Sequence, residues 1–201
     1  MRTFWDERFD RDEYVYGTEP NEFAAETARY IPLGKVLCLG EGEGRNAVFL
    51  AEQGYDVTAV DSSNIGLQKA QKLATESGVA ITTIHADLAH YSIEPQAWQG
   101  IIATFVHVPQ PLRRKIHAAC VKGLAPGGAL ILEGFTPQQL EYSTGGPKAL
   151  ELLMTLDDLK AEFHGLDFRV AQQVVRYRKA GLFHTGDAAV VQILGIKPNS
   201  L

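Results

Sequence analysis

Glycines and glutamates alternate in one short stretch of this sequence, and their types and spacing suit ligand binding. Gly40, Gly42 and Gly44 are separated by Glu41 and Glu43. Glycine lets a backbone turn tightly and approach a ligand, and a helix that follows presents unpaired N–H groups at its first turn. Two carboxylates beside a pyrophosphate would repel it. The stretch therefore favours a ligand with a positively charged end.

The spacing of the glycines in this loop helps to distinguish between two candidate classes of nucleotide ligand. The loop reads G-x-G-x-G, and Arg45 occupies the position where a dinucleotide-binding loop carries its third glycine. That substitution disfavours NAD, whereas S-adenosylmethionine has cationic amino and sulfonium groups that suit the acidic flanks. An NAD-type oxidoreductase stays open as an alternative function.

Asp61 is the second candidate for ligand binding. It closes the apolar run that begins at Asp56, at the distance of about 20 residues after the glycines that nucleotide-binding folds show. At the carboxyl end of a parallel strand, such a side chain can accept hydrogen bonds from two ribose hydroxyls. Capping of the following helix is the alternative role for Asp61.

Alternating strand and helix patterns must position these residues. Apolar runs predict strands over 36–39, 56–61, 81–85, 100–105 and 129–133, and later extended segments lie at 168–177 and 188–196. Helical spacing predicts helices over 3–10, 21–29 with Asn21 as N-cap, 44–53, from Ser62 or Ser63 to about Glu76, 112–124, and 156–164 capped by Thr155. We predict an α/β fold: a Rossmann-like, doubly wound sheet of seven strands, mostly parallel, with a C-terminal antiparallel hairpin and a long hairpin loop over 178–187.

Composition limits the classes of partner. The chain has 201 residues, 45% of them hydrophobic, and a formal net charge of −5. We expect a single domain over 1–201, with an N-terminal cap segment over 1–30 and a core over 35–197. The acidic balance argues against a nucleic-acid partner, and no apolar run reaches the roughly 18 residues of a membrane span. Two distant cysteines and a polar start without a signal peptide suit the cytoplasm; a homodimer stays open.

These motifs together resemble the class I S-adenosylmethionine-dependent methyltransferases, over nearly the whole chain from Trp5 to Lys197. The resemblance implies S-adenosylmethionine as cofactor, with Asp61 binding its ribose, and Asp87 and Leu88 contacting its adenine. It also makes Tyr16, in the cap, a residue that covers the cofactor. We place further cofactor-binding candidates next to the loop and the second strand: Arg45, Asn46 and Ser62.

Within that family, three short motifs are similar to tellurite-resistance and thiopurine methyltransferase-like enzymes. They are Gly44-Arg45-Asn46, Gly54-Tyr55-Asp56-Val57, and Trp5-Asp6 with Tyr16-Gly17. One position departs from the family pattern, because Cys38 stands where an Asp or Glu usually helps hold the methionine end of the cofactor. Glu41 is our candidate for that task.

His107 is the candidate catalytic residue, because it follows the fourth strand at the end where sites in such sheets lie. A base is required only if the acceptor has a proton to lose; selenite, tellurite or a thiolate would need none. His184 and Thr104 are candidates for the substrate pocket, and His117 is expected on a solvated surface with Arg113. We expect no metal site, since the histidines lack ligand spacing. A catalytically silent S-adenosylmethionine-binding protein is a further alternative.

Overall fold

The computed structural model describes residues 4–181 and 184–199, without the side chains of residues 178–180 and 184. The described strands are β1 (Lys35–Leu39), β2 (Asp56–Asp61), β3 (Thr82–His85), β4 (Trp98–Thr104), β5 (Leu124–Phe135), β6 (Asp167–Ala180) and β7 (His184–Ile196). They form one sheet in the order β3-β2-β1-β4-β5-β7-β6. Strands β1 to β5 are parallel, and β7 is antiparallel to both β5 and β6. The predicted fold class is confirmed.

Helices cover both faces of the sheet, as right-handed crossovers between parallel strands require. They are α1 (Phe4–Phe9), α2 (Glu22–Thr27), α3 (Arg45–Glu52), α4 (Asn64–Glu76), α5 (Gln110–Gly123) and α6 (Leu156–Glu162), with short 3-10 turns at Ala28–Tyr30, Pro137–Glu141 and Leu150–Leu152. Asn21, Ser63 and Thr155 each accept a hydrogen bond from a backbone N–H in the first turn of their helix. The N-caps predicted for these helices are confirmed. None of the described helices has the length and apolarity needed to cross a membrane.

The core consists of two layers, one on each face of the sheet. Along β1, Val36 and Cys38 pack with the apolar faces of α2, α3 and α4, whereas Leu37 and Leu39 pack with those of α5 and α6. This follows from the alternation of side chains along a strand. Because both faces are covered, the parallel strands are apolar almost throughout.

The C-terminal hairpin differs from the prediction in the length of its strands. Pairing of β6 with β7 continues to Ala180 opposite His184, so residues 178–187, predicted as a long loop, mostly belong to the two strands. Backbone hydrogen bonds between antiparallel strands form whatever the side chains are. The charged side chains of this stretch therefore did not indicate where the strands end.

The expectation that Arg113 and His117 lie on a solvated surface is wrong. Their exposed fractions are 1% and 5%, because α6 packs over this face of α5. Glu162 of α6 accepts hydrogen bonds from Arg113 Nε at 3.1 Å and Nη2 at 2.9 Å, and its Oε2 lies 2.6 Å from His117 Nδ1. A carboxylate from a distant helix thus compensates for the burial of the guanidinium.

Candidate cofactor-binding site

A cleft of about 520 Å³ lies at the carboxyl ends of the parallel strands. Most of the candidate residues from the sequence line it: Tyr16, Gly40, Glu41, Gly42, Arg45, Asn46, Asp61, Ser62, Asp87, Leu88, Thr104 and His107. Gly44 does not line the cleft, and the side chain of His184 lies outside the described residues. The topology therefore brings most of the candidates into one cavity.

Gly44 serves the packing of two helices. Its φ is +92°, and a Cβ there would lie 2.6 Å from Cβ of Ala70 in α4. An alanine would clash with α4 and would also strain the backbone. The glycine thus lets the start of α3 lie directly against α4, beside the cleft.

Asp61 ties the glycine loop to the end of β2. Its Oδ2 accepts a hydrogen bond of 2.8 Å from the N–H of Gly42, and its Oδ1 accepts one of 2.7 Å from the N–H of Ser63. Only 6% of Asp61 is exposed, and burial raises the pKa of its carboxyl. Ser63, not Asp61, is the N-cap of α4, so the capping alternative for Asp61 does not hold. Asp61 also lines the cleft.

Glu41 closes the N-terminus of α3. Its Oε1 accepts hydrogen bonds from the backbone N–H groups of Asn46 at 2.8 Å and Ala47 at 2.9 Å, while the N-cap residue, Gly44, has no side chain to offer. Burial raises the pKa of Glu41 to about 7, although the two backbone hydrogen bonds act in the opposite direction. The buried Cys38 thiol lies near Glu41, and burial, together with the charge of Glu41, raises the pKa of this thiol well above its usual value. A carboxyl group therefore does lie beside Cys38.

Glu43 has a different role from Glu41. Its Oε2 accepts a hydrogen bond of 2.8 Å from the N–H of Val15, and its Oε1 lies 2.5 Å from Nζ of Lys69 in α4. The same ammonium donates to the carbonyl oxygens of Arg11 at 3.0 Å and Glu13 at 2.6 Å. Glu43 and Lys69 thus hold the segment after α1 against the core, a contact that the sequence pattern did not reveal.

Helix α1 lies at the cleft and supplies residues that sequence reasoning missed. Phe4, Trp5, Arg8 and Phe9 all line the cavity. The helix is held in place by Asp6, whose Oδ1 accepts a hydrogen bond of 2.7 Å from the Ser63 hydroxyl. The density of aromatic residues before residue 30 was the available signal, but irregular spacing gave no indication of which of them face the cleft.

The other end of the cleft has an apolar and aromatic wall. Phe105 follows β4 with φ at +57°, in the left-handed region that non-glycine residues rarely adopt. Its ring centroid lies 4.7 Å from that of Phe135, which in turn stacks on His107 at 5.5 Å. Leu152 and Pro147 complete this wall. We refer to these five residues as the acceptor wall.

Both ring nitrogens of His107 are engaged by the backbone. Nδ1 donates to the carbonyl oxygen of Leu152 at 2.8 Å, and Nε2 accepts a hydrogen bond of 3.3 Å from the N–H of Phe135. Burial lowers the pKa of His107 to about 4. The ring is therefore neutral near pH 7, and it would have to give up the bond from Phe135 before it could accept a proton.

Thr104 is joined to the start of α3. Asn46 Nδ2 donates to its hydroxyl oxygen at 3.0 Å, and Asn46 Oδ1 accepts from the N–H of Asn21 at 2.8 Å. Asn46 thus connects the cleft with the start of α2. In the described part of the chain, no group of three or more His, Cys, Asp or Glu side chains could hold a metal ion.

Comparisons with known proteins agree with this geometry. Residues 36–128 match a family described as a methyltransferase domain. The ubiquinone biosynthesis O-methyltransferase of Pectobacterium carotovorum is 36% identical over 97 residues, which are 47% of this chain and 40% of that protein. The glycine/sarcosine N-methyltransferase of Aphanothece halophytica is 26% identical over 195 residues, 90% of this chain and 69% of that protein. The structure of TehB from Haemophilus influenzae matches with a TM-score of 0.74 and 18% identity, over 96% of this chain and 66% of that one.

The share of each chain that is aligned and the sequence identity limit what can be concluded from these matches. The chain spans about half the length of the first curated relatives, between 40% and 52%. The likeness to TehB, at 18% identity, shows a shared fold. The match of residues 36–128 to a methyltransferase-domain family and the order of the strands agree with the resemblance drawn from the sequence, that to the class I S-adenosylmethionine-dependent methyltransferases.

Proposed function

We propose that the protein transfers a methyl group from S-adenosylmethionine to a small-molecule acceptor, and that the acceptor is a soft nucleophile, such as a thiolate or a soft oxyanion. One observation carries the proposal: a single cleft joins the glycine loop and Asp61 to the acceptor wall. Its volume of about 520 Å³ lies within the range of small-molecule sites, roughly 300–1,000 Å³.

The residues at one end of the cleft fit the parts of S-adenosylmethionine. The buried carboxylate of Asp61 can accept hydrogen bonds from ribose hydroxyls in addition to those from Gly42 and Ser63. Asp87 and Leu88 line the cleft after β3, where the adenine would lie. Glu41, beside Cys38, offers a carboxyl group to the amino group of the methionine end.

Methyl transfer mainly requires that the acceptor atom, the methyl carbon and the leaving sulfur are aligned and that water is excluded. When bound, S-adenosylmethionine supplies a methyl carbon that is already activated by its sulfonium. Phe4 and Trp5 of α1 line the cleft, and with a ligand bound they would help to exclude water from it. Phe105 and Phe135 at the acceptor wall shape the space in which the acceptor atom must line up with that carbon.

The state of His107 supports an acceptor that has no proton to lose. Its two nitrogens are bonded to Leu152 and Phe135, and its pKa is about 4. Among the described side chains of the acceptor wall, His107 is the one ionisable group. A thiolate or a soft oxyanion brings its own charge and needs no base at this wall. The role of His107 as a base stays a prediction.

The relatives do not decide the acceptor, because their names include both an O-methyltransferase and an N-methyltransferase. A cytoplasmic location, the absence of a nucleic-acid partner, a homodimer and the single-domain boundaries stay predictions from the sequence.

The cofactor is tested by calorimetry with S-adenosylhomocysteine and NAD. We expect micromolar or tighter binding of S-adenosylhomocysteine and none of NAD, and tighter binding of NAD would contradict the cofactor assignment. The acceptor is tested by turnover on a panel of thiols, selenite, phenols and amines. We expect turnover on thiols or selenite; turnover confined to phenols or amines would contradict the acceptor class. Binding without turnover on any acceptor would favour the silent alternative.

A further inference from the structure

The orientation of one side-chain amide at the cleft is fixed by a backbone group. Asn46 Oδ1 accepts a hydrogen bond of 2.8 Å from the backbone N–H of Asn21. Because a backbone N–H can only donate, the amide oxygen of Asn46 must face Asn21, and the amide nitrogen must face the other way. This nitrogen, Nδ2, donates to the hydroxyl oxygen of Thr104 at 3.0 Å.

Asn21 is itself held in one orientation. Its Oδ1 accepts from the N–H of Ala24 at 2.9 Å, so its Nδ2 points to the opposite side, where it donates to Oε2 of Glu133. Glu133 is fully buried, and its Oε1 accepts from Gln192 Nε2 at 2.9 Å and from Arg176 Nη1 at 3.2 Å. A carboxylate only accepts hydrogen bonds, so it leaves the amide of Asn21 no alternative orientation. The start of α2 is thereby fixed from β5.

The consequence of this arrangement appears at the Thr104 hydroxyl. Its oxygen accepts from an amide nitrogen of Asn46, so the hydroxyl cannot donate its own hydrogen to that side chain. Within the part of the chain that the structure describes, no other hydrogen-bond partner of this hydroxyl is present. Thr104 is half-buried and lines the cleft. Its O–H is therefore left to donate to a ligand.

Thr104 lies where the two ends of the cleft meet. It is the last residue of β4, and the residue before it pairs with the end of β1, from which the glycine loop begins. On its other side Thr104 pairs with Glu133 in β5, and Phe105 of the acceptor wall follows it in the chain. A nucleophile that attacks the methyl group of a cofactor on the glycine loop would lie between that cofactor and the acceptor wall, next to Thr104.

We propose that the Thr104 hydroxyl donates a hydrogen bond to the nucleophilic group of the acceptor, and that Asn46 is the positioning residue that sets the direction of this bond. The proposal rests on the proposed function and deepens it. During the transfer, a lone pair of the nucleophile forms the new bond to the methyl carbon. The bond between that carbon and the sulfonium sulfur breaks, and its electron pair stays on the sulfur. No proton moves, so Thr104 keeps its hydrogen.

A hydrogen bond of this kind distinguishes between classes of acceptor. A thiolate or a selenite anion has several lone pairs, so one can accept from Thr104 while another attacks the methyl carbon. A neutral amine has a single lone pair, which cannot serve both purposes. The site therefore favours anionic sulfur, selenium or oxygen nucleophiles over amines.

The first experiment measures binding without turnover, on the protein saturated with S-adenosylhomocysteine. Ionised thiophenol and selenite are titrated by calorimetry onto the parent, Thr104→Val and Thr104→Ser. We expect the valine variant, which keeps the shape but loses the hydroxyl, to bind the probes about tenfold or more weakly, and the serine variant to stay close to the parent. Affinity of Thr104→Val equal to that of the parent would overturn the proposal. A matching loss of affinity for S-adenosylhomocysteine itself would also overturn it, since the hydroxyl would then serve the cofactor.

Turnover tests the choice between acceptor classes. Thiophenol and aniline have the same ring, but the nucleophilic atom of aniline has one lone pair. With S-adenosylmethionine, the parent should methylate thiophenol in preference to aniline, and Thr104→Val should lower kcat/KM for thiophenol by about tenfold or more. A parent that prefers aniline would contradict the proposal.

The second experiment reverses the hydrogen bond at Asn46. Asn46→Asp keeps an oxygen for the N–H of Asn21 but places a second oxygen where Nδ2 was, so Thr104 would donate to it and turn its hydrogen away from the cleft. The added negative charge is the same whether position 104 carries threonine or valine. Asn46→Asp should therefore weaken binding of thiophenolate several-fold more in the parent than in Thr104→Val. Equal losses in the two backgrounds would show that Asn46 does not set the direction of the bond.

Controls separate this role from folding and from the proposed function. Thr58→Val makes the same change at a half-buried position of β2 that does not line the cleft, and it should bind every ligand as the parent does. If Asn46→Asp does not fold, the comparison of Thr104→Val with Thr104→Ser still decides the proposal. A parent that binds S-adenosylhomocysteine but neither probe would overturn the inference and leave the cofactor assignment intact. A parent that does not bind S-adenosylhomocysteine would contradict the proposed function and the inference with it.

Discussion

Asp61 and Gly42 are joined by a hydrogen bond of 2.8 Å between the carboxylate and the backbone N–H. This bond links the end of β2 to the glycine loop after β1. The residue proposed to hold the ribose therefore also sets the shape of the loop on which the cofactor would lie. The effect of substituting Asp61 must therefore be measured both on ligand affinity and on the free energy of unfolding.

We expect Asp61→Ala to weaken binding of S-adenosylhomocysteine by about 1–3 kcal/mol, the usual cost of losing a charged hydrogen-bond acceptor. The free energy of unfolding should fall as well, because the N–H groups of Gly42 and Ser63 lose their acceptor in a buried setting. Calorimetry and denaturant unfolding measure the two effects. Asp56→Ala, at the exposed start of the same strand, is the matched control. An unchanged dissociation constant would limit Asp61 to holding the loop.

Glu41 predicts a pH dependence of cofactor binding. Its pKa is about 7, and the cationic amino group of S-adenosylhomocysteine would favour the ionised carboxylate. Binding should therefore release a proton near neutral pH, and the affinity should rise as the pH increases through about 7. Calorimetry in buffers of different ionisation enthalpy measures the released proton. Glu41→Gln, which keeps an oxygen for Asn46 and Ala47, should show neither effect; the same proton release in this variant would contradict the prediction.

The raised pKa of Glu41 also leads us to expect that the free energy of unfolding depends on pH. A carboxyl whose pKa rises from 4.5 to about 7 on folding binds its proton more tightly in the folded state. Its contribution to stability is complete below pH 4.5 and is lost as the pH rises through about 7. The free energy of unfolding of the parent, relative to Glu41→Gln, should therefore fall by roughly 3 kcal/mol across this window. A difference that does not change with pH would show that Glu41 is not buried in this way.

His107 is expected to position the acceptor wall. Its ring links Leu152 to Phe135, so His107→Ala should lower turnover while leaving the affinity for S-adenosylhomocysteine nearly unchanged. His107→Gln offers an amide that can donate to Leu152 and accept from Phe135 without taking up a proton. It should retain much more turnover than His107→Ala, with the pH–rate profile of the parent. Equal loss in both variants, together with a changed profile near neutral pH, would assign His107 the role of a base.

Glu162 is expected to be essential for stability. Glu162→Ala would leave the buried Arg113 without its bidentate partner, and breaking such a pair typically costs about 3–5 kcal/mol. Denaturant unfolding measures the loss. Asp157→Asn removes an exposed carboxylate from the same helix and should change the stability by less than about 0.5 kcal/mol. Comparable effects of the two substitutions would show that the ion pair contributes little.

Much of the fold followed from local patterns in the sequence. The apolar runs of β1 and β2 and the N-caps at Ser63 and Thr155 are local signals, and the structure has each of them. The glycine loop and Asp61 were found from residue type and spacing, because the carboxyl ends of parallel strands meet at one edge of a sheet. Local sequence patterns were thus sufficient to predict the strands and loops on which the candidate site is built.

The rest depends on contacts between distant residues. Nothing near Arg113 indicates that Glu162 will cover it, and nothing near Glu43 indicates that Lys69 will reach it. The position of Arg8 on the cleft likewise depends on how α1 packs against the core. The hydrogen bond between Asp6 and Ser63, which are far apart in the sequence, helps to fix that packing. Charged residues reveal their partners only when the helices have been placed.

The backbone of Phe105 has a consequence for attempts to engineer the acceptor range. At φ of +57°, branched residues such as valine, isoleucine and threonine are nearly excluded, whereas glycine, asparagine and aspartate are tolerated. A library that randomises this position would therefore lose many of its members to misfolding and not to poor recognition. Phe135, whose ring faces Phe105 from an ordinary strand, has no such backbone restriction, but its side chain is buried, so a replacement there must fill the space of the ring.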